Sequence, residues 1–192
     1  MNELNEVDKT ILSIIDTIQT VIINEIGSLI YPDGKNNDDV FKQSSPYIKF
    51  LPIITSIEFL GACYDELPFY ATRLDKEDIV EKRFNTAIKN LFGKQYLQFV
   101  NANNEFYFYK KLRCAMIHQL KPGEGLYFTT RYESKNDGVK HLMRNDTGLF
   151  LVLEDFYDDL KKASNKLINN FQKGKTTNKK GELPFLEVIT IE

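Results

Sequence analysis

A chain of 192 residues, 42% hydrophobic and 27% charged, is long enough to bury about 70% of the surface its unfolded form exposes. That composition excludes intrinsic disorder, which needs fewer apolar residues and a larger net charge. The balance of 25 Lys+Arg against 27 Asp+Glu, 25 − 27 = −2, excludes the overall basic character usual in nucleic-acid binders and leaves only local patches.

The first element is a helix over about Asn5–Tyr31, on the 3.6-residue recurrence of Ile11, Ile14, Ile15, Ile18, Val21, Ile22, Ile26 and Leu29, stopped by Pro32-Asp33-Gly34. Asp16, Gln19, Asn24 and Glu25 interrupt its apolar run, which argues against a membrane span. A polar loop over 35–45 leads to a second helix, from near Pro46 to about Glu66, with Pro52 tolerated in its first turns. A third helix is expected over Lys76–Phe92, with Asp75 as N-cap and Glu77 and Asp78 in the first turn. A short helix follows over Lys94–Asn101, then a long one over Asn104–Leu120, closed by Lys121-Pro122-Gly123. From Gly125 to Glu133 the period changes to two. With turn chemistry at 134–138, that predicts a β-hairpin whose partner strand is Val139–Arg144. A further apolar run, Leu149–Leu153, precedes a last helix over Glu154–Gln172.

The expected architecture is therefore mainly α. It is one helical-bundle domain over residues 1–174 with an inserted β-hairpin or small meander at about 125–153, then a linker and strand-like tail over 175–192. The tail, Pro184 to Ile191, reads as a strand seeking a sheet edge. The lysines from Lys161 to Lys180 read as a solvated helix end and linker. The only cysteines, Cys63 and Cys114, fall in apolar helical patterns and offer neither a disulfide framework nor a metal site. The N-terminus lacks the basic start and apolar block of a signal peptide. A reducing cytoplasm is the expected setting.

No glycine-rich phosphate loop, paired cysteines, His-Glu-x-x-His or Gly-x-Ser-x-Gly is present, and two histidines cannot build a His-rich metal site. Attention falls on a position that breaks its own pattern. On an α-helix, Phe106, Tyr109, Met116, Ile117 and Leu120 all lie within roughly 60° of Arg113, so the guanidinium sits in the middle of an apolar stripe. It needs a partner, a cleft or an interface there. His118, five residues on, lies about 140° around the helix beside Tyr107, Lys111 and Cys114, where the helix end favours its charged form. Two such helices meeting across a two-fold axis bring both residue types to one cleft. A structural alternative has Arg113 bridging to a buried carboxylate, Glu58 being the candidate, and His118 capping carbonyls. His141 has no evident chemical companion and reads as surface or packing.

The segment Phe106-Tyr107-Phe108-Tyr109-Lys110-Lys111-Leu112-Arg113-Cys114-Ala115-Met116-Ile117-His118-Gln119 resembles the signature of the HEPN superfamily, helical bundles with an Arg-x(4–6)-His motif on a late helix. Ile57-Glu58-Phe59-Leu60-Gly61 adds a weaker likeness to bacterial members. The resemblance implies an endoribonuclease that works as a two-fold homodimer without metal or cofactor, in toxin–antitoxin, abortive-infection or other antiviral systems. RNA and an antitoxin-type protein are the implied partners. Carried onto this chain, His118 is the acid/base group at an RNA 2′-hydroxyl, and Arg113 holds the scissile phosphate. Glu58, Tyr109, Lys111 and Cys114 are the supporting or binding residues. Active members often have Asn or His directly after the arginine, where this chain has Cys114. Many members are non-catalytic binding or assembly modules, in which Arg113 would be purely structural.

Overall fold

The computed structural model describes residues 6–32, 46–74 and 77–174. The loop expected at 35–45 and the tail at 175–192 lie outside the described residues.

The N-terminal helix shows how the sequence sets local winding. Apart from Ser13, its buried positions are Thr10, Ile14, Ile18, Ile22, Ile26 and Ile30, each four residues from the last. A four-residue period on an α-helix would drift about 40° per step and carry the stripe off the core. The wider i→i+5 winding of a π-helix compensates in the opposite sense. Accordingly α1 (Glu6–Thr17) passes into a π-helical stretch, Ile18–Glu25, before α2 (Ile26–Ile30). The expected 3.6-residue face placed Leu29 inside, yet it is 44% exposed while Ile30 is buried. The Tyr157 hydroxyl lies against the Ile22 and Ile23 carbonyls in the π stretch, at 3.2 and 2.9 Å. By length and composition Val7–Ile30 could cross a membrane, but here its isoleucine stripe packs into the protein core.

Helix α3 (Tyr47–Ala62) is the central element, burying Phe50, Ile53, Ile54, Ile57 and Leu60, with Pro52 in its second turn. It crosses α4 (Ile79–Leu91) at Gly61, where a Cβ would come 1.8 Å from the Arg83 carbonyl oxygen. Only glycine permits that approach. Helix α4 starts later than expected. Its N-cap is Asp78, whose Oδ1 accepts from the backbone N–H of Val80 (3.0 Å) and Glu81 (3.1 Å). Asp75, the expected cap, lies outside the described residues. Just upstream, β1 (Arg73–Leu74) and β2 (Glu77–Asp78) pair antiparallel.

A 3-10 helix, Lys94–Val100, follows Gly93. The helix of the arginine and histidine also starts late, because the Asn104 side chain accepts from Phe106 N–H (2.8 Å) and holds a turn there. It comprises a second π stretch, Tyr109–Cys114, and α5 (Ala115–Gln119), ending on Leu120 at φ 56.

The fold is thus mainly helical with a small strand insert, but the insert is wired differently from the expected hairpin. Strand β3 (Leu126–Thr129) pairs in parallel with β4 (Leu149–Val152). Thr130 and Glu133 form a capping box that opens α6 (Arg131–Asp137), so the chain leaves the strand at Thr130. Gly138, at φ 66, closes α6. The predicted partner segment lies beside β4 instead, with Leu142 N–H donating to the Phe150 carbonyl (2.8 Å) and Phe150 N–H to that of Met143 (2.9 Å). Phe128 of β3 stacks on Phe50 of α3 at 3.8 Å between ring centroids. Helix α7 (Leu153–Gln172) closes the core with Phe156, Leu160, Leu167 and Phe171.

Candidate functional site

The misplaced arginine finds the predicted carboxylate. Arg113 is only 16% exposed, and its Nε (3.2 Å) and Nη2 (2.9 Å) both donate to Glu58 Oε2 on α3. Its guanidinium carbon lies 6.0 Å from the Tyr109 ring centroid, within cation–π range. The Tyr109 hydroxyl donates to Asp78 Oδ2 at 2.6 Å. A continuous polar seam therefore runs from α3 through the π stretch to the N-cap of α4. Burial alone would weaken the charge on Arg113, but Glu58 outweighs it and holds the guanidinium more firmly protonated than usual. Asp78 is likewise opposed by burial, yet the Tyr109 hydroxyl and the amides it caps keep its carboxyl below the ordinary range. Burial and the bond to Asp78 push the Tyr109 hydroxyl well up, so it stays a donor.

A small cavity of about 250 Å3 adjoins this seam, lined by Glu58, Phe59, Phe69, Arg83 and Arg113. Nη1 of Arg113 is engaged by no described residue. His118 is exposed, in the last turn of α5. Beside it Ile117 is 37% and Leu120 58% exposed, so the apolar side of this helix end is left uncovered by the described residues. Cys114 is half-buried against the core. Lys111 points elsewhere. Its Nζ donates to the Glu124 carbonyl (3.0 Å), and its backbone carbonyl accepts from Gly123 N–H (2.7 Å), clamping the 122–125 connection. Glu58, Tyr109 and Arg113 thus come together, and Lys111 belongs to a different contact.

Two polar centres escaped the sequence reading. Arg83 on α4 is 1% exposed and uses every nitrogen. It donates to both oxygens of Asp65 (2.6 and 3.0 Å) and to the carbonyls of Leu67, Pro68, Phe69 and Ala71, so the 65–71 loop is wrapped around it. Its signal was the one that singled out Arg113, an arginine on an apolar stripe with Val80, Phe84 and Ala87.

His141, expected to lack companions, is the second. Val152 N–H donates to its Nδ1 at 3.1 Å, and Nε2 lies 2.7 Å from the Tyr96 hydroxyl. A backbone N–H only donates, so Nδ1 must be the acceptor and the ring proton of the neutral imidazole sits on Nε2. Tyr96 then accepts from His141 and donates to Asp159 Oδ2 at 2.9 Å. Burial drives the imidazole pKa down to about 4. Both ring nitrogens are committed, so the ring pins the insert to the 3-10 helix and to the start of α7. Near it Glu154 is buried, with Oε2 accepting from Arg131 N–H (2.8 Å) and Oε1 without a partner among the described residues. Burial raises its pKa.

No family model, curated protein or solved structure matches this chain.

Proposed function

We propose that the chain is a HEPN-like endoribonuclease module, in which the helix end carrying Arg113 and His118 forms half of an RNA-cleaving cleft completed by a second copy. The observation that carries this reading is the state of Arg113. Glu58 and Tyr109 fix its orientation while Nη1 stays open beside a cavity, and a half-engaged guanidinium can still take a phosphate oxygen. An exposed imidazole follows on the same helix, and an imidazole is the side chain most often used for general acid/base work. The uncovered Ile117 and Leu120 suit burial against a second copy. π stretches, rare overall, also favour functional sites.

In this reading His118 takes the proton of an RNA 2′-hydroxyl as the 2′-oxygen attacks phosphorus. The 5′-oxygen leaves and collects a proton, and Arg113 stabilises charge on the phosphoryl oxygens. The resemblance adds the setting, a bacterial defence or toxin–antitoxin system with an antitoxin-type partner.

The engagement of two Arg113 donors by Glu58 also favours a second reading, a non-catalytic binding or assembly module with Arg113 as a strut. Incubating the purified protein with RNA in EDTA separates them. The nuclease reading expects cleavage that His118→Ala abolishes with unchanged melting temperature, since that side chain is exposed. Intact RNA with wild type, together with a loss of about 2 kcal/mol of stability in Arg113→Ala, selects the strut. Cleavage that survives His118→Ala refutes the nuclease assignment.

A further inference from the structure

The cavity beside Arg113 has lining groups that a phosphate on Arg113 would leave unused. It measures about 250 Å3 and is lined by Thr55, Glu58, Phe59 and Ala62 of α3, together with Phe69, Arg83 and Arg113. That is below the roughly 300–1,000 Å3 of whole small-molecule sites, so it takes a piece of a larger ligand. Phe59 and Phe69 lie nearly parallel, with ring centroids 5.1 Å and planes 18° apart, and both are half-buried. Arg83 donates to the Phe69 carbonyl at 2.9 Å. The aromatic pair is thus carried by a helix on one side and by the arginine-bound 65–71 loop on the other.

The bonds already made by the other lining groups decide what can enter. Arg83 pairs with Asp65 and spends its remaining donors on loop carbonyls, so it offers a ligand nothing. The Thr55 hydroxyl donates to the carbonyls of Leu51 (3.1 Å) and Pro52 (3.2 Å) in its own helix. Both Arg113 bonds to Glu58 end on Oε2, so Oε1 of Glu58 is engaged by no described residue. Glu58 is 25% exposed and can be reached. A carboxylate oxygen beside aromatic rings suits a flat ring whose edge carries an N–H. A second anionic group would be repelled by Oε1, and an aliphatic chain would strip it of water without replacement.

We infer that this cavity is a nucleobase pocket, in which the base next to the phosphate on Arg113 packs against Phe59 and Phe69 and donates an edge N–H to Glu58 Oε1. This rests on the ribonuclease reading of Arg113 and adds to it a demand for an unpaired base. A base within a duplex keeps its faces stacked and its pairing edge occupied, whereas a base in a single strand is free to splay out.

The probe is a short fluorescein-labelled RNA with every 2′-oxygen methylated, which binds but carries no nucleophile. It is titrated into the full-length protein as a single strand and annealed to its complement, and binding is read by fluorescence anisotropy. Thr55 is exposed and bonds only within its own helix, so substitutions there leave the fold intact. Thr55→Met puts a longer side chain at the cavity. It is expected to keep the wild-type melting temperature and to bind the single strand about tenfold more weakly, the loss of roughly one stacked base. Thr55→Ala is expected to bind like wild type. Phe69→Leu keeps an apolar side chain and the backbone bond to Arg83 but loses the ring, and should weaken binding by about the same factor as Thr55→Met. Annealing should also weaken binding about tenfold. Inorganic phosphate, which needs only Arg113, should protect wild type and Thr55→Met equally against thermal unfolding.

The pocket is overturned if wild type does not bind the single strand or binds the duplex equally well. It is also overturned if Thr55→Met or Phe69→Leu binds like wild type, if Thr55→Ala loses as much as Thr55→Met, or if Thr55→Met loses protection by phosphate. Cleavage of unmodified RNA is scored separately. The expected binding losses without cleavage would remove the nuclease reading and keep the pocket, and cleavage with none of those losses would do the reverse.

Discussion

Acidification should loosen this fold through His141, and the size of the effect follows from its surroundings. Free histidine titrates at about 6.5, whereas in the folded chain the pKa of His141 falls to about 4. Burial is the main cause. Asp155 and Asp159 pull the value up, while Arg131 and Lys162 push it down. The unfolded chain therefore takes up a proton first as the pH drops. His141 costs no stability above about pH 6.5, and the loss grows as the pH falls and is complete near pH 4. A difference of about 2.5 units at 1.36 kcal/mol each makes the total roughly 3 kcal/mol. The physical event is loss of the Nδ1 acceptor, since imidazolium cannot accept from Val152 N–H. The assay is urea unfolding at intervals from pH 7.5 to 4, for wild type and His141→Asn. The variant starts less stable, having lost the ring, but should show a shallower decline with acid because it has no group there to titrate. Other titrations are common to both proteins and cancel in the comparison. Parallel declines would refute the reasoning.

Gly61→Ala should destabilise by about 3 kcal/mol in urea unfolding, because its Cβ would meet the Arg83 backbone and force α3 from α4. Arg83→Met should cost about 3–5 kcal/mol, since Asp65 and the four loop carbonyls lose their donor, and proteolysis is expected to nick the 65–71 loop first. Glu154→Gln should be more stable than wild type at pH 7. The folded carboxyl has a raised pKa and favours the protonated form, so its stability contribution is present below the unfolded pKa and lost as pH rises. The gap should therefore close on acidification toward pH 4, read by melting temperature at each pH.

The helices were legible because periodicity and breakers act locally. Gly93 and Pro122-Gly123 mark boundaries that no tertiary contact has to supply. The misreadings came where a local signal of another kind competed. Alternation from Gly125 to Glu133 looked like one strand, but Thr130-x-x-Glu133 is also a capping box, and the box takes the chain into α6. The pairing of β3 with β4, some twenty residues later, depends on where α6 puts the chain down. In the N-terminal helix the period was read as 3.6, while the buried isoleucines from Ile14 to Ile30 are spaced by four, and that difference is what the π winding accommodates.

The same logic separates finding a site from assigning it. An arginine on an apolar stripe is a sound signal of an unusual environment, and it applies equally to Arg113 and Arg83. Their environments diverge through residues far away in sequence. Arg83 meets a loop that brings four carbonyls and a carboxylate, and nothing remains for a ligand. Arg113 meets one oxygen of Glu58 and the face of Tyr109. Pattern-breaking thus locates buried charge, and the tally of unused donors decides between strut and binding group. By that measure Arg83 is structural, and Arg113 is the arginine on which a phosphate should be sought. Inorganic phosphate or a short RNA should protect wild type but not Arg113→Gln against unfolding, and equal protection of both would remove Arg113 from the site.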